Sequence, residues 1–313
     1  MMKKLLLAGA VAIAALSGNS LKAEDAPAAV VKPPRMLVAS VDKNAAFILS
    51  PDNKIEWECR MPGGCQEAWL LPNGNVLLTG MSAVREVTKD KKVVWEYKSP
   101  AGVKTEIHTC QPLPNGNALI GEGGTSRLLE VDGKGAIVKE IKLELKGNAH
   151  SHTREVRMRE DGTFTVTAMG ESAIIDYDKD AKPVWRLDGA EMAKQGVRWA
   201  AVHSFIRLPN GNTLVAGGHA PNLAEVTKDK KVIWQFSSAD APELGLTYTA
   251  GFQLLPDGKT IIISAYDSKT KIYAINKETK KVLWTITNPE IGRPTHIMVL
   301  DGIDNSKPWN LLR

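Results

Sequence analysis

The 313-residue sequence has few cysteines, few aromatic side chains and no large excess of charge of one sign. It contains three cysteines, 6% aromatic residues and 40 basic against 35 acidic residues. Without the three lysines of the first 23 positions, 37 basic residues face 35 acidic ones. This balance is too even for a nucleic-acid-binding stripe, and we predict no nucleic-acid partner. With 43% hydrophobic residues, the chain can still bury a folded core.

Long hydrophobic runs are absent after the N-terminal region, so we predict no membrane span in the mature protein. The first 23 residues combine two lysines, an apolar run over residues 5–16 and a small-residue site that ends at Ala23. This order is typical of a secretory signal peptide. We predict cleavage after Ala23 and a periplasmic or secreted protein. Residues 24–35 are a Pro- and Ala-rich leader, and residues 36–313 are predicted to form a single domain.

The odd number of cysteines leaves at least one thiol without an intrachain partner. Cys59 and Cys65 flank the short loop RMPGG and could close a small disulfide. Alternatively, these two and Cys110 are buried thiols. Sequence does not fix the geometry that a disulfide needs, so the pairing stays open.

An internal repeat of about 45 residues organises the chain. Its first mark is Asn-Gly or Asp-Gly between two apolar runs, as in LPNGNALIG at 113–121 and LPDGKTIII at 255–263. This dipeptide is a strong β-hairpin signal, and we expect positive φ at both central residues of a tight turn. The glycines recur at intervals of 42, 46, 49, 47 and 44 residues: Gly74, Gly116, Gly162, Gly211, Gly258 and Gly302.

The second mark is a strand that carries a tryptophan, such as KVVWEY at 92–97 and KVIWQF at 231–236. One repeat has GAIVKEI at 135–141 instead, without the tryptophan. Each unit is predicted to form four short strands, which is the content of one propeller blade. Because four tryptophans recur at equivalent positions, we expect them to pack between blades: Trp95, Trp185, Trp234 and Trp284.

The two ends of the chain decide the number of blades. Residues 36–59 supply three strand-like pieces without a preceding turn strand, and residues 294–302 supply a turn strand without a blade of its own. One blade built from both termini would close the ring and cover two sheet edges. The sequence therefore predicts an all-β, six-bladed β-propeller; the alternative of seven blades requires strands that the sequence does not supply.

The units KIYAINKETKKVLWTI (271–286) and LAEVTKDKKVIWQF (223–236) resemble the repeat of quinoprotein-like (PQQ-like) propellers. The stretch WAAVHSFIRLPNGNTLVAGG (199–218) is similar to blades of bacterial arylsulfotransferase-like propellers. The resemblance extends over residues 36–302 as a fold pattern. It implies a propeller, and for the second family a catalytic histidine that acts on an anionic ester.

The sequence departs from both families at functional positions. Quinone-dependent members have eight blades, adjacent cysteines over the cofactor and Glu, Asn and Asp ligands for calcium, and this chain has neither eight repeats nor adjacent cysteines. We therefore predict no quinone and no other organic cofactor. In arylsulfotransferases the catalytic histidine follows a Trp-x-His-x-Asn pattern. Here Trp199 lies four residues before His203, and Phe205 takes the place of the Asn.

The innermost strand of each blade should bring residues before the turn to one mouth of the central channel. The position six before the turn proline, or its equivalent, is occupied by Gln66, His108, Arg154, His203, Ala250 and Pro294. At even offsets, hence on the same strand face, lie His152 and His296. The loops that reach the same mouth carry Glu122, Glu171, His219 and Asp267. These polar groups are the candidate ligand-binding residues.

Three kinds of chemistry suit such a mouth. A neutral histidine beside a carboxylate can be a base or nucleophile, and an arginine can hold an anionic substrate, which makes His203 and Arg154 the candidate catalytic residues. Imidazoles could instead hold a divalent metal, with His108, His152 and His203 as candidate ligands, although no known metal spacing is present. In the third case, the histidines line the channel and bind only water.

No catalytic signature is complete. The sequence therefore favours an exported, soluble propeller that binds a small molecule, a glycan or an envelope protein through its channel face. The alternative is an enzyme of the group-transfer or hydrolase class that acts on a sulfate or phosphate ester.

Overall fold

A computed structural model describes residues 31–313. The predicted signal peptide, residues 1–23, and most of the leader lie outside this range. The chain folds into six four-stranded antiparallel sheets, the blades of a β-propeller. No helix among the described residues is long and apolar enough to cross a bilayer.

Blades 1 to 3 occupy the first half of the chain. Blade 1 contains β1 (Met36–Ser40), β2 (Ala45–Leu49) and β3 (Ile55–Arg60). Blade 2 contains β4 (Glu67–Leu70), β5 (Val76–Thr79), β6 (Ala83–Val87) and β7 (Val93–Lys98). Blade 3 contains β8 (Ile107–Pro112), β9 (Ala118–Glu122), β10 (Arg127–Val131) and β11 (Ile137–Lys142).

Blades 4 to 6 follow in the same order. Blade 4 contains β12 (Val156–Met158), β13 (Phe164–Ala168), β14 (Ala173–Tyr177) and β15 (Pro183–Asp188). Blade 5 contains β16 (Ser204–Arg207), β17 (Thr213–Ala216), β18 (Asn222–Val226) and β19 (Val232–Ser237). Blade 6 contains β20 (Phe252–Leu254), β21 (Thr260–Ser264), β22 (Ile272–Asn276) and β23 (Val282–Ile286). One short helix, α1 (Gly189–Ala193), follows blade 4, and 3-10 turns lie at Met169–Glu171, Pro242–Leu244, Pro289–Ile291 and Pro308–Asn310.

The last strand, β24 (Pro294–Val299), pairs antiparallel with β1 and becomes the innermost strand of blade 1. The register places Met36 opposite Val299 and Val38 opposite Ile297. Both strands are buried along their whole length. The N- and C-terminal strands thus close the ring, which confirms the predicted six blades and the shared terminal blade.

The repeated turns connect the first and second strands of their blades with a geometry that differs from the expected one. In the turn after β4, Gly74 N–H donates to Leu71 O, and Leu71 N–H donates to Asn75 O. Gly74 has a φ of +82°, but Asn73 does not have a positive φ. The expectation of two positive φ values was therefore wrong. Pro72 favours the first central position of a type I turn, and the glycine then takes the left-handed position of a bulge.

The core lies between neighbouring blades, where the inner three strands of each sheet are largely buried and the fourth is half exposed. The tryptophans of the fourth strands join one blade to the next. Their indole N–H groups donate to backbone carbonyls at the outer turn of the following blade: Trp57 to Lys89, Trp95 to Asp132, Trp185 to Lys228 and Trp234 to Lys277.

Candidate functional site

The innermost strands bring the predicted ring residues to one end of the channel. Gln66 directly precedes β4, His108 lies in β8, Arg154 precedes β12 by two residues, and His203 directly precedes β16. All four are buried, with 1–8% of their surface exposed. Positions separated by more than 40 residues in the sequence are therefore neighbours because each blade repeats the same strand order.

Arg154 lies among three of the predicted histidines. Its positive charge helps to lower the pKa values of His108, His203 and His296. In all three, burial is the largest cause, since it disfavours the charged imidazolium. The His203 and His296 rings are 5.8 Å apart between centroids. At neutral pH these imidazoles are consequently neutral, and each carries one N–H donor and one acceptor nitrogen.

These polar groups lack partners within the described part of the chain. Both ring nitrogens of His203, Nε2 of His108 and Nδ1 of His296 are buried without a hydrogen bond. Arg154 as a whole is 8% exposed, and its guanidinium forms neither a hydrogen bond nor an ion pair with any residue from 31 to 313. Buried polar groups are nearly always satisfied, so the cluster is suited to receive water or a polar ligand.

Aromatic side chains connect this cluster to the surface. The ring of Tyr248 packs edge-on against His203 at 5.5 Å and against His219 at 4.5 Å. It also lies 5.3 Å from Tyr266, over which Arg293 is placed at 5.7 Å. His219 is exposed, Tyr266 is half-buried and Tyr248 is buried. The approach to the histidine cluster on this side is therefore aromatic.

A second layer of charge fills the channel next to the histidines. Glu67 accepts hydrogen bonds from Thr109 Oγ1, from the backbone N–H of Cys110 and from Arg157 Nη2. Its Oε1 is 3.9 Å from His296 Nδ1 and 3.9 Å from Arg313 Nη2. Three hydrogen bonds to its carboxylate and the nearby guanidinium groups of Arg157 and Arg313 make Glu67 the centre of this layer.

Glu155 and Arg313 are the imperfectly satisfied members of the charged layer. Glu155 lies 3.2 Å from Arg157 Nη2, but neither carboxyl oxygen accepts a hydrogen bond. Burial raises the pKa of Glu155 to about 8, against the opposing effect of Arg157. Burial also lowers the pKa of Arg313 to about 9, although Glu67 opposes that shift. Arg313 stacks 4.0 Å over the Trp69 ring.

The predicted loop carboxylates are occupied by other partners. Glu122 accepts hydrogen bonds from Tyr97, Thr125 and Arg127. Glu171 accepts from the backbone N–H of Lys146 and from Arg186, and Asp267 is half exposed and paired with Arg293 at 3.1 Å. These groups brace the loops around the mouth and are not among the unpartnered ones.

Two further predicted residues lie beside the cluster. Gln66 Nε2 contacts the Met81 sulfur at 3.4 Å, and its Oε1 has no partner. His152 Nδ1 is 2.7 Å from Thr153 Oγ1, while its Nε2 is buried without a partner. Burial lowers the pKa of His152.

One trio in residues 31–313 has the mutual distances of metal ligands: Glu106, His108 and His150, whose ligand atoms all lie within 4.8 Å of one another. It shares only His108 with the metal-ligand set considered from the sequence, which contained His152 and His203. Glu106 and Tyr248 were not predicted. Each lies two residues before a ring position, so the even-offset rule that selected His152 would have found both if it had been applied to carboxylates and phenols.

Glu67 and Glu155 were also missed. Each directly follows a predicted ring residue: Glu67 follows Gln66 as the first residue of β4, and Glu155 follows Arg154 directly before β12. The signal is two glutamates at equivalent places in two repeats.

The three cysteines are free and buried. Burial raises the pKa values of Cys59, Cys65 and Cys110. Thiols with raised pKa values stay protonated at neutral pH and are poor nucleophiles.

Comparisons with known proteins identify the fold. No family model matches the chain, and a search of curated proteins gives no match. Among solved structures, a protein of unknown function from Bacteroides caccae is similar with 21% identity and a TM-score of 0.72, over 85% of this chain and 98% of that one. A streptogramin B lyase is similar with 14% identity and a TM-score of 0.60, over 84% of this chain and 86% of the other. A catalytically inactive His-to-Ala variant of virginiamycin B lyase from Staphylococcus aureus, solved with quinupristin, has 14% identity and a TM-score of 0.58, over 81% of each chain. At these identities the likeness shows a shared β-propeller fold.

Proposed function

We propose that this protein binds a small anionic ligand, such as a carboxylate or a phosphate or sulfate ester, with Arg154 at the centre of the site. The observation that carries the proposal is the guanidinium of Arg154, a residue that is only 8% exposed, which has no acceptor within the described residues. A charge without a partner in a largely buried residue is unfavourable, and an anion with two oxygens matches the paired N–H donors of an arginine. The ligand would therefore supply the missing counter-charge.

The neighbours of Arg154 favour the same class of ligand. The neutral imidazoles of His203 and His296 can each donate one hydrogen bond to an oxyanion. Tyr248 and His219 offer ring faces to an aromatic or apolar group on the same ligand. The sequence resemblance of residues 199–218 to arylsulfotransferase-like propellers points to an aryl ester as one such ligand.

Titration calorimetry tests this function with four probes: inorganic phosphate, sulfate, 4-nitrophenyl phosphate and 4-nitrophenyl sulfate. The protein is first stripped of metal with a chelator and then dialysed until the chelator is gone. We expect saturable binding of at least one probe with a stoichiometry of one. In the Arg154→Gln variant the affinity should fall roughly 10- to 100-fold, because hydrogen bonds to a charged group contribute about 1.5–3 kcal/mol each. Arg154→Lys keeps the positive charge but loses the planar pair of N–H donors, so it should give an intermediate affinity.

Arg198→Gln is the control for the loss of one positive charge, since Arg198 is exposed and directly precedes Trp199. Its affinity for the probe should equal that of the unmodified protein. Absence of binding for all four probes, or equal binding by Arg154→Gln, would overturn the proposal.

The second candidate function is catalysis with His203 as general base. His203 is buried and neutral, and both of its ring nitrogens are unpartnered. The structural likeness to a streptogramin B lyase, and to a lyase in which a His-to-Ala variant is catalytically inactive, supports a search for turnover. The two nitrophenyl esters and quinupristin are the substrates to assay. Turnover that is lost in His203→Ala but kept in Arg198→Gln would establish an enzyme. If none of the three substrates is turned over, the binding function stands.

We also propose that the protein acts outside the cytoplasm, where the ligand is a free small molecule, a glycan or a group on an envelope protein. The support is the predicted signal peptide. Mass spectrometry of protein from the extracytoplasmic fraction should give a mature chain that begins at Glu24, and an intact Met1 would contradict export.

A further inference from the structure

Glu106, His108 and His150 meet at the rim of the channel, in blade 3 and in the loop that follows it. Glu106 Oε2 is 3.0 Å from His150 Nδ1 and 3.8 Å from His108 Nε2. The two imidazole rings are 5.2 Å apart between centroids and nearly perpendicular. Two imidazole nitrogens and one carboxylate oxygen are common ligands of zinc and related divalent metals, which bind them at about 2.0–2.2 Å. A small inward movement of the side chains would bring the three atoms to that distance from one ion.

His108 already has the tautomer that a metal ligand requires. Its Nδ1 is 3.3 Å from the backbone carbonyl oxygen of Thr153, so Nδ1 carries the proton and donates it. The lone pair is thereby placed on Nε2, which is buried, has no hydrogen-bond partner and faces Glu106. Imidazoles that bind metals usually donate their second nitrogen to a carbonyl or carboxylate in this way.

Glu106 is also held in place for this role. Its φ of +47° is uncommon for a residue other than glycine, and such strained positions concentrate at functional sites. Oε1 pairs with the exposed Lys104 at 2.9 Å, which leaves Oε2 for the two histidines.

The loops around the trio are fixed by close backbone contacts. A Cβ at Gly123 would lie 2.2 Å from Ala149 O, next to His150, and a Cβ at Gly124 would overlap Lys104 O. Glycine at these positions lets the β9–β10 loop press the segments of Glu106 and His150 together. The side chain of Asn148 also accepts the backbone N–H of His150, which fixes the turn that presents this histidine.

We propose that Glu106, His108 and His150 bind a divalent transition-metal ion with three protein ligands and leave at least one coordination position open. This inference goes beyond the anion site and does not depend on it. A three-ligand site with an open position is the arrangement of catalytic zinc centres, whereas structural zinc sites use four protein ligands. The open position would take water or an oxygen of a ligand.

Chelator-treated protein, titrated with Zn²⁺ alone by calorimetry and with Co²⁺ alone by visible absorption, tests the site. We expect one equivalent of each ion to bind and the bound Co²⁺ to show ligand-field bands. His150→Asn and Glu106→Gln should each weaken Zn²⁺ binding at least tenfold and change the Co²⁺ spectrum. Because His150 is 56% exposed on its side chain, His150→Asn should fold normally, which circular dichroism checks.

The matched control for Glu106→Gln is Glu243→Gln, since Glu243 is an exposed glutamate outside the trio. It should bind Zn²⁺ as the unmodified protein does. The proposal is overturned if neither ion binds with saturation at one equivalent, or if binding survives unchanged in both His150→Asn and Glu106→Gln. Because this titration contains no anionic probe, and the anion titration uses metal-free protein, failure of either proposal is separate from failure of the other.

Discussion

Glu155 shows how burial and charge compete at a single residue. Its carboxyl group is fully buried, and the Arg157 guanidinium at 3.2 Å does not give it a hydrogen bond. Burial prevails, and the pKa of Glu155 rises to about 8. In the unfolded chain a glutamate loses its proton near pH 4.3. Between these two values the folded protein holds one more proton than the unfolded chain, so the contribution of Glu155 to stability decreases as the pH rises.

Glu155→Gln removes this titration while it keeps the shape of the side chain. We expect the melting temperature of the variant, relative to the unmodified protein, to increase steadily from pH 5 to pH 8. Each pH unit in this window changes the difference in unfolding free energy by at most about 1.4 kcal/mol. For a domain of this size, each kcal/mol shifts the melting temperature by roughly 2–4 °C. Glu278→Gln is the control, because that side chain is 60% exposed. A difference that does not change with pH would show that Glu155 is already ionised in the folded protein.

At the residue scale, the sequence predicts which side chains reach the channel mouth but not which partners they contact there. His203 and Arg154 could be placed at the mouth because they occupy equivalent positions in aligned repeats. The partners of each side chain could not be predicted, since Glu122 turns out to be used by Tyr97, Thr125 and Arg127. Such contacts depend on side-chain directions that a repeat period does not specify.

At the scale of the strand, the repeated tryptophan joins neighbouring blades by a directional bond as well as by packing. Trp95 in β7 donates its indole N–H to Asp132 O in the next blade at 2.9 Å. In the third blade Lys139 stands opposite Glu130, where the second blade has Trp95 opposite Glu86. The third blade therefore lacks the indole that its neighbours use to hold the following outer turn.

Trp95→Phe should weaken the junction between the second and third blades. The variant keeps most of the ring contact but loses the hydrogen bond, and it leaves the Asp132 carbonyl open to solvent. We expect the free energy of unfolding to fall by about 1–2 kcal/mol, measured by urea denaturation. Val94→Ala is the control, since Val94 is adjacent in the same strand and 51% exposed. Equal stability of Trp95→Phe and the unmodified protein would contradict a stabilising role for this hydrogen bond.

Strands and turns were predictable at this scale because their signals are local. Alternating apolar residues and the Gly of each turn mark the hairpins without reference to the rest of the chain. The turn type was not predictable from Asn-Gly alone, since Pro72 two residues before Gly74 selects a type I turn with a bulge. The hydrogen bonds from the turn asparagines to a glutamate on the third strand, such as Asn75 to Glu86, also went unpredicted.

At the scale of the whole molecule, ring closure could be deduced from the sequence because the two ends are each incomplete. Residues 36–59 lack an inner strand, and β24 supplies it through five paired positions with β1. The convergence of His108, His203 and His296 is a consequence of this closure, since they come from blades 3, 5 and 1. The charged layer beneath them could not be deduced, because no local pattern distinguishes a glutamate that faces the channel from one that faces solvent.

The same convergence makes the stability of the ring depend on pH. His108, His203 and His296 have folded-state pKa values well below the ordinary value of about 6.5, so below that pH the unfolded chain binds three protons that the folded chain does not. Stability is therefore present above pH 6.5 and is lost as the pH falls. Glu155 opposes the loss with one proton, but the three imidazoles outweigh it, so we expect the free energy of unfolding to fall between pH 6 and pH 5.

Urea denaturation at intervals from pH 7.5 to pH 4.5, with and without saturating sulfate, measures this dependence. We expect sulfate to reduce the loss of stability at low pH, because an anion beside Arg154 favours the protonated imidazoles and binds only the folded ring. The effect of sulfate should be small in Arg154→Gln and unchanged in Arg198→Gln, where an exposed charge is removed instead. Stability that is constant between pH 7 and pH 5 would mean that the three imidazoles titrate normally. Equal sulfate stabilisation in Arg154→Gln would place the anion elsewhere on the propeller.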